Sequence, residues 1–296
     1  MDSQHGGLHH DIATLVWTVR MTIISLTSIP PRFAGLAPVL RSLLDQTAPI
    51  DEIRVYIPKR YRRRPEWSGQ RPDLPAGVRL VVVDDDLGPA SKVLHAARDL
   101  SGCDVPILFC DDDRIYPRTW ARGLLAAHAE RRGECVAAIG RHLSADGAGT
   151  PCATRPRAKV GKQRFDPYYR FRRLRQQWSE RRFRTAGEKP SRRSVLRAGY
   201  VDFLQGYAGA VMRPDFVDEA FYDIPDDIWM VDDIWLSGHL ARRNIPIWVP
   251  RRQEICRRAA NAPIEALRTS VFNDSDRDGS NHRAISYFQD SYGIWR

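Results

Sequence analysis

Val105-Pro106-Ile107-Leu108-Phe109-Cys110-Asp111-Asp112-Asp113 is the stretch on which the reading of this chain turns. An apolar segment of buried-strand type runs directly into three carboxylates. Side chains at i and i+2 of an extended segment point the same way, so Asp111 and Asp113 are expected to converge at the strand's end. Two carboxylates held that close repel and raise each other's pKa unless a cation neutralises them. The triplet therefore predicts a divalent-metal site for a phosphate-bearing ligand. The plainer alternative is a solvated acidic turn, or a cap for the helix starting near Pro117.

Outward from this stretch, strand and helix alternate. Residues 22–27, 52–57, 78–83 and 136–139 read as strands from their apolar and β-branched content. Between them, Leu36, Val39, Leu40, Leu43 and Leu44 fall at helical spacing. Residues 89–100 and 117–132 read as further helices, each opened by a proline suited to a first turn. The basic, proline-rich stretch 61–75 reads as a loop. This alternation predicts an α/β fold with a Rossmann-like, mostly parallel sheet flanked by helices. In such sheets the ligand sits beyond the carboxyl ends of the strands. Asp84-Asp85-Asp86 and the 111–113 triplet both fall there, which favours the metal site over the solvated turn. Further on, 206–212 reads as a small-residue strand, 225–244 as holding a helix, and 245–249 as a short strand. The tail from Asn261 reads as less regular.

The chain has 296 residues, of which 43% are hydrophobic, enough for a sizeable core. Its cysteines, at 103, 110, 135, 152 and 256, are odd in number and lack metal-type spacing, the usage of a reduced, cytoplasmic protein. No segment approaches the ~18 consecutive apolar residues of a membrane span. Met21 stands directly before the first strand, so residues 1–20 read as a disordered or mis-started extension. Of the net charge of +10, residues 155–193 carry +12, from 15 Lys and Arg against Asp166, Glu180 and Glu188. This stretch interleaves aromatics with arginines, and 166–185 can form one helix. Nucleic acid, an anionic membrane surface or a phosphorylated substrate would suit it.

Three acidic elements carry the chemistry. In Asp84-Asp85-Asp86-Leu87-Gly88-Pro89-Ala90-Ser91-Lys92, Gly88-Pro89 makes a tight turn into a helix whose N-terminus favours an anion. Lys92, a turn in, is placed to meet a phosphate; a capped helix with a surface lysine is the alternative. The 111–113 triplet supplies hard oxygen ligands suited to Mg²⁺ or Mn²⁺, and no Cys/His cluster recommends zinc. Asp232 and Asp233 sit on a helix anchored by Trp229, Trp235 and Leu236. Adjacent helical residues do not share a face, so one carboxylate can face a site while the other caps or pairs. A surface acidic pair at a helix start is the alternative.

Taken in order, these elements resemble a GT-A glycosyltransferase. The opening Thr27-Ser28-Ile29-Pro30-Pro31-Arg32 and the Asp86-x-Gly88-Pro89-x-x-Lys92 phrase are similar to those of bacterial capsule and surface-polysaccharide enzymes. The resemblance covers residues 22–140 and 200–250. It implies a nucleotide-sugar-binding half over 21–150, a basic helical insert over 151–198 and an acceptor half over 199–296. Asp111 and Asp113 would ligate Mn²⁺ or Mg²⁺ on the donor diphosphate, with His282 as a further ligand. Thr27, Arg32, Asp84, Asp85, Lys92 and Asp112 would surround the nucleotide of a donor, with a UDP-sugar favoured. Gly206, Tyr207 and Gly209 would line the junction with a glycan or lipid-linked acceptor. Asp233 matches the Asp of the Glu-Asp-x-x-Leu pattern of inverting members, where it deprotonates the acceptor hydroxyl. Asp232 replaces the Glu, which leaves the choice of base between Asp232 and Asp233 open. From its charge and aromatics, the insert is expected to dock on anionic lipid at the inner face of the membrane or to act as a lid on a phosphorylated or acidic acceptor; a solvated helical excursion is the alternative.

Other functions fit less of the pattern. Sugar-phosphate nucleotidyl transfer normally shows an N-terminal Gly-rich loop, absent from 23–33. Asp-dependent phosphotransfer places its triplet after the first strand. A nucleic-acid-binding role for the arginine–aromatic insert is opposed by three acidic clusters, so no nucleic-acid partner is expected.

Overall fold

A computed structural model describes residues 21–143, 155–161, 167–179, 195–251, 253–264 and 277–296. The expected extension at 1–20 lies outside the described residues, as do parts of the expected 151–198 insert. Eight strands build the main sheet: β1 (Ile23–Thr27), β2 (Glu52–Pro58), β3 (Val78–Val83), β4 (Ile107–Phe109), β5 (Cys135–Ala137), β6 (Gly199–Val201), β7 (Ala210–Met212) and β8 (Ile247–Val249). The helices are α1 (Ala37–Leu44), α2 (Ser91–Asp99), α3 (Trp120–Ala129), α4 (Pro167–Ser179), α5 (Asp232–Arg242) and α6 (Arg277–Tyr292).

The sheet runs in the order β3-β2-β1-β4-β7-β5-β8-β6. The first four strands are mutually parallel, and β8 is parallel to β5. Only β7 and the edge strand β6 run against their neighbours. This is the mostly parallel α/β sheet that the alternating pattern predicts. Chain order reverses between β1 and β4, which opens a crevice at their carboxyl ends.

Strand alternation sorts the side chains into two cores. Ile24, Leu26, Leu108 and Cys110 pack with Leu40 and Leu43 of α1 and Trp120 and Leu124 of α3. Ile23, Ile107 and Phe109 pack on the other face with Val93 and Leu94 of α2 and Leu236 and Leu240 of α5. Each fully buried Leu or Ile stabilises by about 1.5–3 kcal/mol over leaving it exposed. That burial holds α1, α2 and α3, which at 8, 9 and 10 residues are too short to persist alone in water.

Two expectations need correction. The strand over 206–212 survives only as β7; Gly206–Ala208 is a 3-10 turn, and Gly209 takes φ +87°, which interrupts extended pairing. The helix expected within 225–244 is α5, which follows a run of turns. The tail is more regular than expected, because α6 spans 16 residues and buries Ala284, Ile285 and Phe288 against Ile234 and Trp235 of α5. Among the described residues no helix is long and apolar enough to cross a membrane.

His239 lies at the α5–α6 contact, fully buried, against the rings of Phe221, Trp235 and Phe288. Its Nε2 has no hydrogen-bond partner, and Nδ1 accepts from Arg242 Nε at 3.1 Å. Burial, aided by Arg242, lowers its pKa to about 3. Below the ordinary histidine value the unfolded chain therefore binds a proton that the folded chain refuses. Stability should fall as pH drops from about 6.5 toward 3, with a slope approaching 1.4 kcal/mol per pH unit from this group. Thermal unfolding between pH 7 and 4 checks this; a Tm flat across that window would contradict it.

Candidate active site

β4 ends at Phe109, and the chain turns at Asp112 and Asp113. Strand alternation therefore no longer sets where the three carboxylates point, and each finds its own partner. Asp111 Oδ1 accepts from Lys92 Nζ at 2.6 Å. Asp112 is buried and accepts from Ser28 Oγ and Arg32 Nη1, each at 2.6 Å. Asp113 Oδ1 is buried with no hydrogen-bond partner; Arg114 Nε lies 3.3 Å away without hydrogen-bonding geometry. Burial pushes the Asp111 carboxyl up, but Lys92, Arg114 and Arg32 outweigh it and hold it below the usual range. Burial and then the Asp111 charge push Asp113 up to about 6.

Lys92 differs most from the surface lysine that the sequence also allows. It sits in the first turn of α2 and is almost fully buried. Its Nζ lies 2.6 Å from both Asp111 Oδ1 and Asp232 Oδ2. Burial lowers its pKa, but Asp111, Asp232 and Asp233 outweigh this and hold it well above the usual lysine value. One buried cation thus joins the end of β4 to the start of α5, where the helix dipole also favours a carboxylate. Asp233 Oδ1 accepts from the Gly206 N–H at 2.8 Å. A Cβ on Gly206 would stand 2.5 Å from Lys92 Nζ and 2.8 Å from Asp233 Oδ1, so any side chain there would have to displace one of these charged groups.

The scaffold around this cluster escaped sequence reasoning. The Asp111 N–H donates to the buried Tyr116 hydroxyl at 3.0 Å, and that hydroxyl donates to the Tyr207 carbonyl at 2.9 Å. Asp86 accepts from the N–H groups of Gly88 and Arg62 at 2.9 and 2.7 Å. Trp229 closes over that turn: its Nε1 donates to the Asp86 carbonyl at 3.1 Å. Gly88 has φ +58°, and a Cβ there would strike the Trp229 ring. Residues 253–264 brace the triplet from behind. Asn261 Nδ2 donates to the Asp112 carbonyl, the Ala259 N–H to that of Asp113, and Cys256 Sγ to that of Tyr207. A ribbon pairing Arg114–Ile115 with Arg257–Arg258 fixes this segment in place.

A pocket of about 130 Å³ opens beyond β1 and β4, lined by Thr27, Ser28, Arg32, Tyr61, Lys92, Asp111, Asp112 and Trp229, among others. Tyr61 and Asp86 also line a neighbouring open cavity of about 1000 Å³ that holds Asp84 and Asp85. The smaller pocket alone is below the ~300–1,000 Å³ of ligand sites, and the two adjoin. Asp84 and Asp85 are exposed and pair with Lys59 and Arg98. Tyr207 is half-buried under the Arg114 guanidinium, whereas Gly209 faces the Trp120 ring. His282 occupies an exposed position on α6.

Among the described residues no three His, Cys, Asp or Glu side chains group to hold a metal. Magnesium-type ions need no such cage; one or two carboxylates suffice, with waters and substrate phosphates completing the shell. Asp111 and Asp113 fit that donor set. Asp113 Oδ1 makes no hydrogen bond, and its carboxyl stays raised despite Arg114 and Arg32 nearby, which marks a carboxylate that a further cation would stabilise.

Fold and site together define a mostly parallel α/β sheet with a lysine-bridged acidic pocket at its switch point. No family model matches the chain, and neither does any curated protein. Among solved structures, the mannosyltransferase PcManGT from Pyrobaculum calidifontis, in complex with GDP-Man and Mn²⁺, aligns with 83% of this chain at 17% identity and a TM-score of 0.45. The chain spans 58% of that protein's length. S. aureus TarS 1-349 aligns with 92% of this chain and 72% of its own, at 9% identity and a TM-score of 0.41. At these distances the residues of the site itself carry the functional argument.

Proposed function

We propose that this chain is a glycosyltransferase of GT-A type. It would move a sugar from a nucleotide-diphospho-sugar to a hydroxyl of a glycan or lipid-linked acceptor, as in surface-polysaccharide assembly. The observation that supports this reading is the Lys92 bridge. It joins Asp111 at the end of β4 to Asp232 at the start of α5 through one ammonium group, beside a pocket at the sheet's switch point. Donor and acceptor chemistry would meet there.

The residues divide the work as follows. The pocket beyond β1 and β4 takes the nucleotide, while Asp112, fixed by Ser28 and Arg32, shapes its floor. Asp111 and Asp113 would hold Mn²⁺ or Mg²⁺, which would offset charge on the departing diphosphate. Lys92 adds fixed positive charge beside that group. Asp233 accepts the proton of the acceptor hydroxyl, and the Gly206 N–H orients its carboxylate. Asp232 is engaged by Lys92, which favours Asp233 as the base. A single displacement at the sugar carbon follows, with inversion.

A thermal-shift screen of nucleoside diphosphates and their sugars with Mn²⁺ tests the reading. UDP-sugars lead the panel, and GDP-mannose, present in the PcManGT structure, belongs in it. A ligand at 100 times its Kd stabilises by about 2.7 kcal/mol. We expect a Mn²⁺-dependent shift with one nucleotide, abolished in Asp113→Asn. No shift with any of them would overturn the proposal.

A further inference from the structure

The basic stretch contains one described helix, α4, and it is built inside out. Phe171, Leu174 and Trp178 are 62%, 63% and 77% exposed. Among its described side chains, Tyr169, Arg172, Arg173, Gln176 and Gln177 are half-buried, and Arg172 Nη1 lies 3.2 Å from Glu254 Oε1. The polar face therefore meets the protein and the apolar face meets solvent, the reverse of an ordinary surface helix. With a turn of about 100° per residue, Leu174, Trp178 and Phe171 fall within roughly 60° of one another. The exposed Arg170 and Arg175 then flank this stripe about 40° to either side.

We propose that this face of α4 docks the protein on an anionic lipid surface. Phe171, Leu174 and Trp178 would enter the boundary between headgroups and acyl chains, and the flanking arginines would meet lipid phosphates. An apolar stripe with a Trp, edged on both sides by cations, is the pattern of a helix lying in the plane of a membrane interface. Charge argues for the same occupant. α4 carries four arginines and no acid, and the 155–193 stretch holds +12 of the chain's net +10. A second copy would bring the same arginines to the contact and be repelled. An anionic bilayer instead attracts each of them. The stripe is independent of the acidic pocket, so this docking stands or falls apart from the transferase reading.

Flotation of the full-length chain with vesicles tests it. One set is phosphatidylcholine alone, and the other carries about one-third phosphatidylglycerol; both are run at about 0.05 and 0.5 M salt. The wild type is expected to float with the anionic vesicles at low salt, and several-fold less with neutral vesicles or at high salt. The triple variant Phe171→Ser, Leu174→Ser, Trp178→Ser alters only exposed side chains, and circular dichroism checks its fold. It should partition at least about tenfold more weakly, as expected when large apolar side chains no longer leave water. Arg170→Gln with Arg175→Gln should lower the salt-sensitive part of the binding. Wild type that stays with the lipid-free fraction at low salt overturns the proposal. So does a triple variant that floats as well as wild type, since charge elsewhere would then be docking the chain. A lipid-free dimer abolished by the serine changes would assign the face to a second copy instead.

Discussion

Lys92→Met should destabilise the fold by about 3–5 kcal/mol, the cost of removing one partner from a buried ion pair. Lys92 Nζ contacts Asp111 and Asp232 at 2.6 Å each, so the change strands carboxylates on both sides. Methionine restores the volume but not the charge, and protonation of one aspartate recovers only part of the loss. Urea unfolding measures the effect as a drop in midpoint with unchanged slope. Adding Asp232→Asn to Lys92→Met should recover stability, because it removes one stranded charge. A loss below about 1 kcal/mol would mean that the bridge is as weak as a surface pair.

Asp233→Asn should cut turnover by about 10²–10⁴-fold, the usual range for removing a general base. The amide oxygen can still accept from the Gly206 N–H, so the local geometry should hold. The Mn²⁺-dependent nucleotide shift should therefore survive while kcat collapses. Asp232→Asn is expected to behave differently: it loosens Lys92 and lowers stability before it touches chemistry. Initial rates and thermal shifts on the two variants decide the matter. A stable, inactive Asp232→Asn beside an active Asp233→Asn would exchange the two roles.

Much of the scaffold was legible because local signals agreed with the global fold. The apolar run at 78–83 became β3 with those bounds, and the proline-led starts gave α2 and α3 within a few residues. The triplets stand at carboxyl ends of parallel strands, as the alternation implies. The partner of each carboxylate was not legible. Lys92 looks like any lysine one turn into a helix, and only the approach of α5 to β4 buries it. The i, i+2 argument for Asp111 and Asp113 lapses where the strand stops and the turn begins. α6 escaped notice because its buried side shows only Ala284, Ile285 and Phe288 amid polar residues. Two-residue ribbons such as that at 114–115 and 257–258 leave no periodic trace at all.

The brace formed by residues 253–264 has a consequence for how the molecule is made. Asn261 and Asp112 are 149 residues apart in the chain. At a synthesis rate of about 5–20 residues per second, the ribosome delivers Asn261 roughly 7–30 s after the triplet. Through that interval the nascent β1–β4 unit presents its three aspartates without the strap that fixes Asp112 and Asp113 from behind. The backing of Asp112 and Asp113 is thus completed well after strands β1 to β4 have been made.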